Sequence, residues 1–266
     1  MKYQNVFEGK KIELSNFLEV EDVEKKTKYT ILGFGNFSYT EKMKYKENNL
    51  YYAIKKIIPE KIGQKKDYKR EKYIAKNFHH KNLVNYYGDF DAFEKFDKYK
   101  EIFQNEINDY NDREIHCLIS EYIPNGNLKA YIEKQEKKKI HFDEYFVINI
   151  FKELILGLEF LHINHIIHRD IKPDNILLDA NYSPKIADFG ISTLIKDESI
   201  ADIEDSDLFG GKTKVGCEKY VPPEILDLKD GDKYDNKCDI YCLGLTIFKL
   251  MTFQLPKKYN ETFKLY

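Results

Sequence analysis

The chain has 266 residues, 42% hydrophobic and 15% aromatic, enough for a core in one large domain or two modest ones, so disorder throughout is excluded. A formal net charge of −2 leaves no global basic field for nucleic acid or an anionic membrane. Cys117, Cys217, Cys238 and Cys242 lack metal-type Cys-x-x-Cys spacing, and neither a signal-like apolar run nor a stretch of about 18 apolar residues is present. The expectation is a soluble cytoplasmic protein with reduced thiols.

Residues 1–27 are charged, with scattered apolar positions and no motif, and are expected to form an N-terminal extension. Alternating apolar positions then predict three antiparallel strands over residues 29–32, 39–45 and 50–57, with Glu47-Asn48-Asn49 as the last turn. A polar helix over 64–78 and a strand over 83–87 follow. Residues 91–114 carry eight acids against four bases with little periodicity, which predicts a solvated loop insertion before a strand resumes at 116–120.

After Pro124-Asn125-Gly126 the composition turns helical, and the lysine-rich run 134–139 reads as a solvated linker face. Phe146, Ile150, Leu154, Leu158 and Leu161 recur at helical spacing and predict a helix over 143–163 with a buried stripe. A second apolar helix is expected over 238–252. One helical turn separates Cys238 from Cys242, and with no His or third Cys nearby they are read as core.

The chemistry is concentrated in His168-Arg169-Asp170-Ile171-Lys172-Pro173-Asp174-Asn175, followed thirteen residues later by Asp188-Phe189-Gly190. Carboxylates, a carboxamide and a lysine on neighbouring loops suit a metal-bound triphosphate and a hydroxyl nucleophile. Upstream, Gly33-Phe34-Gly35-Asn36-Phe37-Ser38 joins two strands, placing glycines where a backbone could approach phosphate oxygens. Two glycines in a hairpin more often mean only a turn, and a lysine on an alternating strand, such as Lys55 in Tyr52-Ala53-Ile54-Lys55, usually faces water. The order of all these motifs decides their meaning, together with Glu71 on the following helix, Pro222-Pro223-Glu224 and Asp239.

In that order and spacing the chain resembles the eukaryotic protein kinase family, serine/threonine branch, over residues 28–255. The resemblance implies an α+β, two-lobed fold with a small antiparallel-sheet N-lobe (28–120), a hinge (121–127) and a mainly helical C-lobe (128–266). Because the family has further helices after the one holding Asp239, an incomplete C-lobe is expected, with no identifiable partner for Glu224. ATP and Mg²⁺ are implied, with serine and threonine hydroxyls of proteins as acceptors, and no nucleic-acid or membrane partner.

By the same resemblance, Asp170 orients the hydroxyl and takes its proton, and Lys172 offsets charge on the γ-phosphoryl group. Asn175 and Asp188 hold the metal, while Lys55, paired with Glu71, holds the α- and β-phosphates. Gly33, Gly35 and Ser38 cover the phosphates. Leu32, Thr40, Ala53 and Leu177 sandwich adenine, Ser120 stands behind it, and Glu121 and Ile123 belong to the hinge that bonds the base. Arg169 and Thr213 are the expected regulatory pair, a phosphate on Thr213 docking on the arginine. Cys217 stands where the family usually has a threonine that bonds the catalytic Asp and Lys, so the alternative is a catalytically impaired nucleotide-binding or scaffold module.

Overall fold

The structure, a computed structural model, describes residues 7–24, 28–35, 38–58, 62–95, 113–195, 219–226 and 235–256. The chain divides into two compact units, Met1–Tyr68 with Asn85–Tyr122, and Lys69–Val84 with Ile123–Tyr266.

The first unit is a six-stranded antiparallel sheet. Its strands are β1 (Phe17–Glu19), β2 (Thr30–Gly35), β3 (Ser38–Tyr45), β4 (Tyr51–Ile57), β5 (Tyr86–Glu94) and β6 (Arg113–Glu121), in the order β1-β3-β4-β6-β5, with β2 on β3. Strict alternation explains why β3 forms: every second side chain, Tyr39, Glu41, Met43 and Tyr45, is buried and the others are half-exposed. Tyr39, Met43 and Tyr45 pack with Tyr52, Ile54, Phe90, Ile115, Cys117 and Ile119 in one cluster on a single sheet face.

One expectation is corrected here. The supposed insertion over 91–114 is strand at both ends, because Asp91–Glu94 and Arg113–His116 are paired rungs of β5 and β6. Within the stretch expected as an extension, Phe17 pairs with Tyr45 of β3, and both Phe7 and Phe17 are buried in the sheet's apolar cluster.

The second unit is mainly helical. Helix α1 (Ile62–Asn77) runs across the division between the units; α2 (Leu128–Lys138), α3 (Glu144–Ile163), α4 (Pro223–Leu226) and α5 (Lys237–Thr252) belong to the second. Short strand pairs β7 (Ile166–Ile167) with β10 (Thr193–Leu194), and β8 (Ile176–Leu178) with β9 (Pro184–Ile186), carry its loops.

Asp143 caps α3 by accepting from Phe146 N at 2.8 Å, and Asn127 caps α2 by accepting from Ala130 N at 2.9 Å. Val147, Ile150, Leu154, Leu158 and Leu161 form the buried stripe of α3. Gly157 lies in that stripe, where a Cβ would stand 3.0 Å from Ile186 Cδ1 and 3.2 Å from Asn82 Cβ, so a side chain there would require both neighbours to shift. The lysine-rich run read as a solvated linker face is solvent-exposed, and it forms the last turns of α2, ended by Lys139 with a left-handed φ of 58°.

Candidate active site

In the first unit, the candidate nucleotide-side residues fall into cross-strand register. Thr40 stands opposite Lys55 and Lys55 opposite Leu118; on the next rung of the same face, Lys42, Ala53 and Ser120 align. Gly33 pairs with Thr40 and Gly35 with Ser38, while Leu32 occupies the irregularity between Ile31 and Gly33. A Cβ at Gly33 would meet nothing within 4 Å, whereas one at Gly35 would lie 2.7 Å from Ser38 Oγ. A side chain at Gly35 would therefore require the Ser38 hydroxyl to rotate away, whereas one at Gly33 would enter open space.

Ser120 Oγ donates to Ala53 O at 3.2 Å. Glu121 is tied twice to Asn85: its N donates to Asn85 O at 3.0 Å, and its Oε1 accepts from Asn85 N at 2.7 Å. The next residue, Tyr122, has its ring 4.3 Å from Lys42 Nζ, which also lies 4.2 Å from the Tyr51 ring.

Sequence reasoning singled out Lys55 but missed its neighbour. Lys55 is half-buried, whereas Lys56 on the opposite face is fully buried, with Nζ 2.8 Å from Glu41 Oε2 and 2.6 Å from Glu94 Oε2. Burial alone would lower its pKa, but Tyr39, Glu41 and Glu94 outweigh that and hold the ammonium above its ordinary range.

In the second unit, the catalytic-loop candidates are brought together around Asp170. Its Oδ2 accepts from Lys172 Nζ at 2.6 Å and from Asn175 Nδ2 at 2.7 Å, and its main-chain O accepts from Asn175 Nδ2 at 2.9 Å. Its other oxygen, Oδ1, is buried without a hydrogen-bond partner among the described residues. Ala187 N donates to Asn175 O at 2.9 Å, and Ile176 pairs with Ile186, which ties this loop to the turn carrying Asp188. Asp188 has φ 66° and its Oδ1 accepts from Gly190 N at 3.3 Å.

The loop is fixed from below by Asp239 on α5, whose carboxylate is fully buried. Oδ2 accepts from His168 N and from His162 Nε2, both at 2.9 Å, and Oδ1 accepts from Arg169 N at 2.8 Å. His162 is a partner that sequence reasoning did not find; it ends an apolar helix with no motif around it. The strained φ of Arg169, 68°, is held by these bonds and by its own guanidinium, from which Nε donates to Ile191 O at 2.6 Å and Nη2 to Ser192 O at 3.3 Å. His168 Nε2 donates to Ala187 O at 3.0 Å, so the loop and the Asp188 turn are bonded at two points.

Residues 27–265 match the family model described as protein kinase domain. The chain belongs to the protein kinase domain family. It is 30% identical to Aurora kinase C of Mus musculus over 228 residues, 85% of this chain and 69% of that protein. Identity is 28% over 210 residues to a serine/threonine-protein kinase of Arabidopsis thaliana, covering 78% of this chain and 30% of the relative. A serine/threonine-protein kinase of Candida albicans is 32% identical over 219 residues, 82% of this chain and 19% of its own length. The chain therefore spans less than a third of the length of two of these curated relatives.

The family's two-lobed fold corresponds to the strand-rich and helix-rich units. Of the remaining kinase candidates, Glu71 lies on α1 and is 7% exposed, Leu177 pairs with Lys185 in the β8–β9 hairpin, and Ile123 is buried just beyond β6. Thr213 and Cys217 lie outside the described residues, as do Asn36 and Phe37. Cys238 and Cys242 are buried, and burial pushes both thiols up, in keeping with core roles. Among the described residues, no group of three or more His, Cys, Asp or Glu is placed to hold a metal, and no helix is long and apolar enough to cross a membrane. Mg²⁺ commonly takes only one or two carboxylates beside phosphate oxygens and water, so the first of these absences does not count against it.

Proposed function

We propose that this protein kinase domain, taken as residues 28–266, transfers the γ-phosphate of Mg²⁺-bound ATP to serine and threonine hydroxyls of cytoplasmic protein substrates. The observation that carries this reading is the asymmetry of the Asp170 carboxylate. Lys172 and Asn175 hold Oδ2, while buried Oδ1 lacks a partner among the described residues. A buried carboxylate oxygen without a donor is costly, and a substrate hydroxyl is a donor of the right size. Asp170 then orients that hydroxyl and accepts its proton, and Lys172 offsets the developing negative charge.

The donor set also fits the metal. Asn175 gives its amide nitrogen to Asp170, which leaves its carbonyl oxygen to join the Asp188 carboxylate, and a hard cation takes oxygen ligands of this kind. Bound there, Mg²⁺ would neutralise phosphate charge. Lys55 would neutralise the α- and β-phosphates, with Glu71 as the supporting carboxylate that the resemblance implies. Gly33, Gly35 and Ser38 would cover the phosphates, Leu32, Thr40, Ala53 and Leu177 would hold adenine, and Glu121 and Ile123 would bond it through the backbone.

The preference for serine and threonine rests on Lys172 in the catalytic loop and on the likeness to two serine/threonine-protein kinases, of Arabidopsis thaliana and Candida albicans. Regulation by a phosphate on Thr213 docking on Arg169 belongs to the proposal, and such a phosphate would compete with the carbonyls of Ile191 and Ser192 for the guanidinium.

Transfer of label from γ-labelled ATP to a generic protein, followed by phosphoamino-acid analysis, tests the reading. Wild type should label serine or threonine while Asp170→Ala falls to background. Equal labelling by the two proteins would overturn the assigned role, and binding of ATP without any transfer would favour the impaired module.

A further inference from the structure

Residues 7–24 lie outside the stretch that matches the protein kinase family, yet they join the sheet through Phe17–Glu19. Phe7 is 3% exposed and its ring sits in a socket of aromatic side chains, 4.8 Å from Tyr45, 5.2 Å from Tyr52 and 6.1 Å from Phe17, with the first two edge-on. The path back to β3 is secured by Lys46, whose N donates to Asn16 O at 3.0 Å and whose Nζ donates to Ser15 O at 2.7 Å. The receiving face is cut to fit: a Cβ on Gly88 would stand 3.3 Å from Ile12 Cδ1 and 3.8 Å from Phe7 Cβ.

We propose that residues 7–19 form a strap whose Phe7 is a positioning residue for nucleotide binding, acting through β3 and β4. The inference rests on the nucleotide-side reading given under Proposed function. Its physical basis is the two-residue period of a strand. Tyr45 and Tyr52, which grip Phe7, lie on strands whose alternate residues Thr40, Ala53 and Lys55 form the candidate nucleotide face. Fixing one face of this pleat fixes the direction of the side chains on the other. Neither Phe7 nor the rings around it belong to that nucleotide face, so the effect is one of alignment.

The test uses the full chain. Phe7→Ala should raise the KM for ATP and weaken a fluorescent ATP analogue by about 3- to 10-fold while kcat at saturating ATP changes less than about twofold. Hydrogen exchange of β3 and β4 amides should quicken. Phe7→Leu should restore most of the affinity, and Gly88→Val, which wedges the strap from the receiving side, should reproduce the loss. If Phe7→Ala lowers Tm but leaves nucleotide affinity unchanged at a temperature where both proteins are folded, the strap is only structural and the proposal fails. It also fails if neither affinity nor exchange responds. A wild type that binds no nucleotide would sink the proposed function instead, and the exchange of β3 and β4 would still decide whether the strap orders those strands.

Discussion

Asn175 and Asp170 are joined at two points: one amide nitrogen donates to the carboxylate Oδ2 at 2.7 Å and to the main-chain O at 2.9 Å. The side chain thereby sets the rotamer of Asp170, with Lys172 Nζ on the same oxygen. Asn175→Asp would replace that donor by a second carboxylate beside the first. We expect turnover of the Mg²⁺-loaded enzyme to fall by about 10²- to 10⁴-fold, the range that proton-transfer groups supply. Single-turnover phosphoryl transfer checks this, and a loss under about threefold would separate Asn175 from Asp170's function.

Ser120 gives the second prediction. Its hydroxyl is satisfied by Ala53 O at 3.2 Å, and it stands in register with Ala53 on the face that carries Lys55. The side chain is small, so an ATP-competitive inhibitor with a bulky substituent should inhibit wild type at least about tenfold better than Ser120→Phe, a steric difference worth roughly 1.4 kcal/mol. Equal inhibition constants for the two proteins would refute it.

The buried triad on the opposite face yields the third. Removing the ammonium in Lys56→Met leaves Glu41 and Glu94, 0% and 2% exposed, without their shared cation. Breaking such a buried set costs about 3–5 kcal/mol, whereas replacing all its members by apolar side chains of similar volume is often neutral. Urea denaturation should therefore show a large loss for Lys56→Met and recovery in a combined Glu41→Leu, Lys56→Met, Glu94→Leu protein. A loss below about 1 kcal/mol in the single variant would mean that the ions are effectively solvated.

These cases show what the sequence makes legible. Helix α3 and strand β3 follow from local periodicity, because their buried residues repeat at the period of the element that buries them. The cluster around Asp170 is legible because the residues that meet there, Lys172 and Asn175, are two and five positions away. Glu94 is different: it reads as one more acid in a charged stretch, and only Lys56, 38 positions earlier, makes it a buried strand residue. Phe7 is hidden for the same reason, since its socket is assembled from strands distant in sequence. His162 could have been suspected only by knowing that Asp239 lies beneath the helix end.

The fourth prediction concerns acid. His80 stacks on Phe160 with ring centroids 5.1 Å apart, and its Nδ1 accepts from Asn82 N at 3.2 Å, a bond that protonation would destroy. Burial, helped by the Lys81 charge, holds its pKa below the ordinary 6.5. Glu153 accepts from Lys81 at 2.7 and 2.9 Å and from Asn82 at 2.8 Å, and these bonds hold it below 4.5. In both cases the folded pKa is the lower one, so the unfolded chain binds more protons and stability falls as pH falls. The His80 contribution is complete above about pH 6.5 and is lost as pH drops through its folded value; the Glu153 contribution goes in the same direction below about pH 4.5. Lys81 is 61% exposed, so salt should shrink the Glu153 part and spare the His80 part, whose main cause is burial. Tm measured from about pH 8 to about pH 4 at low and high salt should show both losses. His80→Phe, which keeps an aromatic ring against Phe160, should flatten the first, and Glu153→Gln the second. Unchanged slopes in these variants would assign the acid sensitivity to other groups.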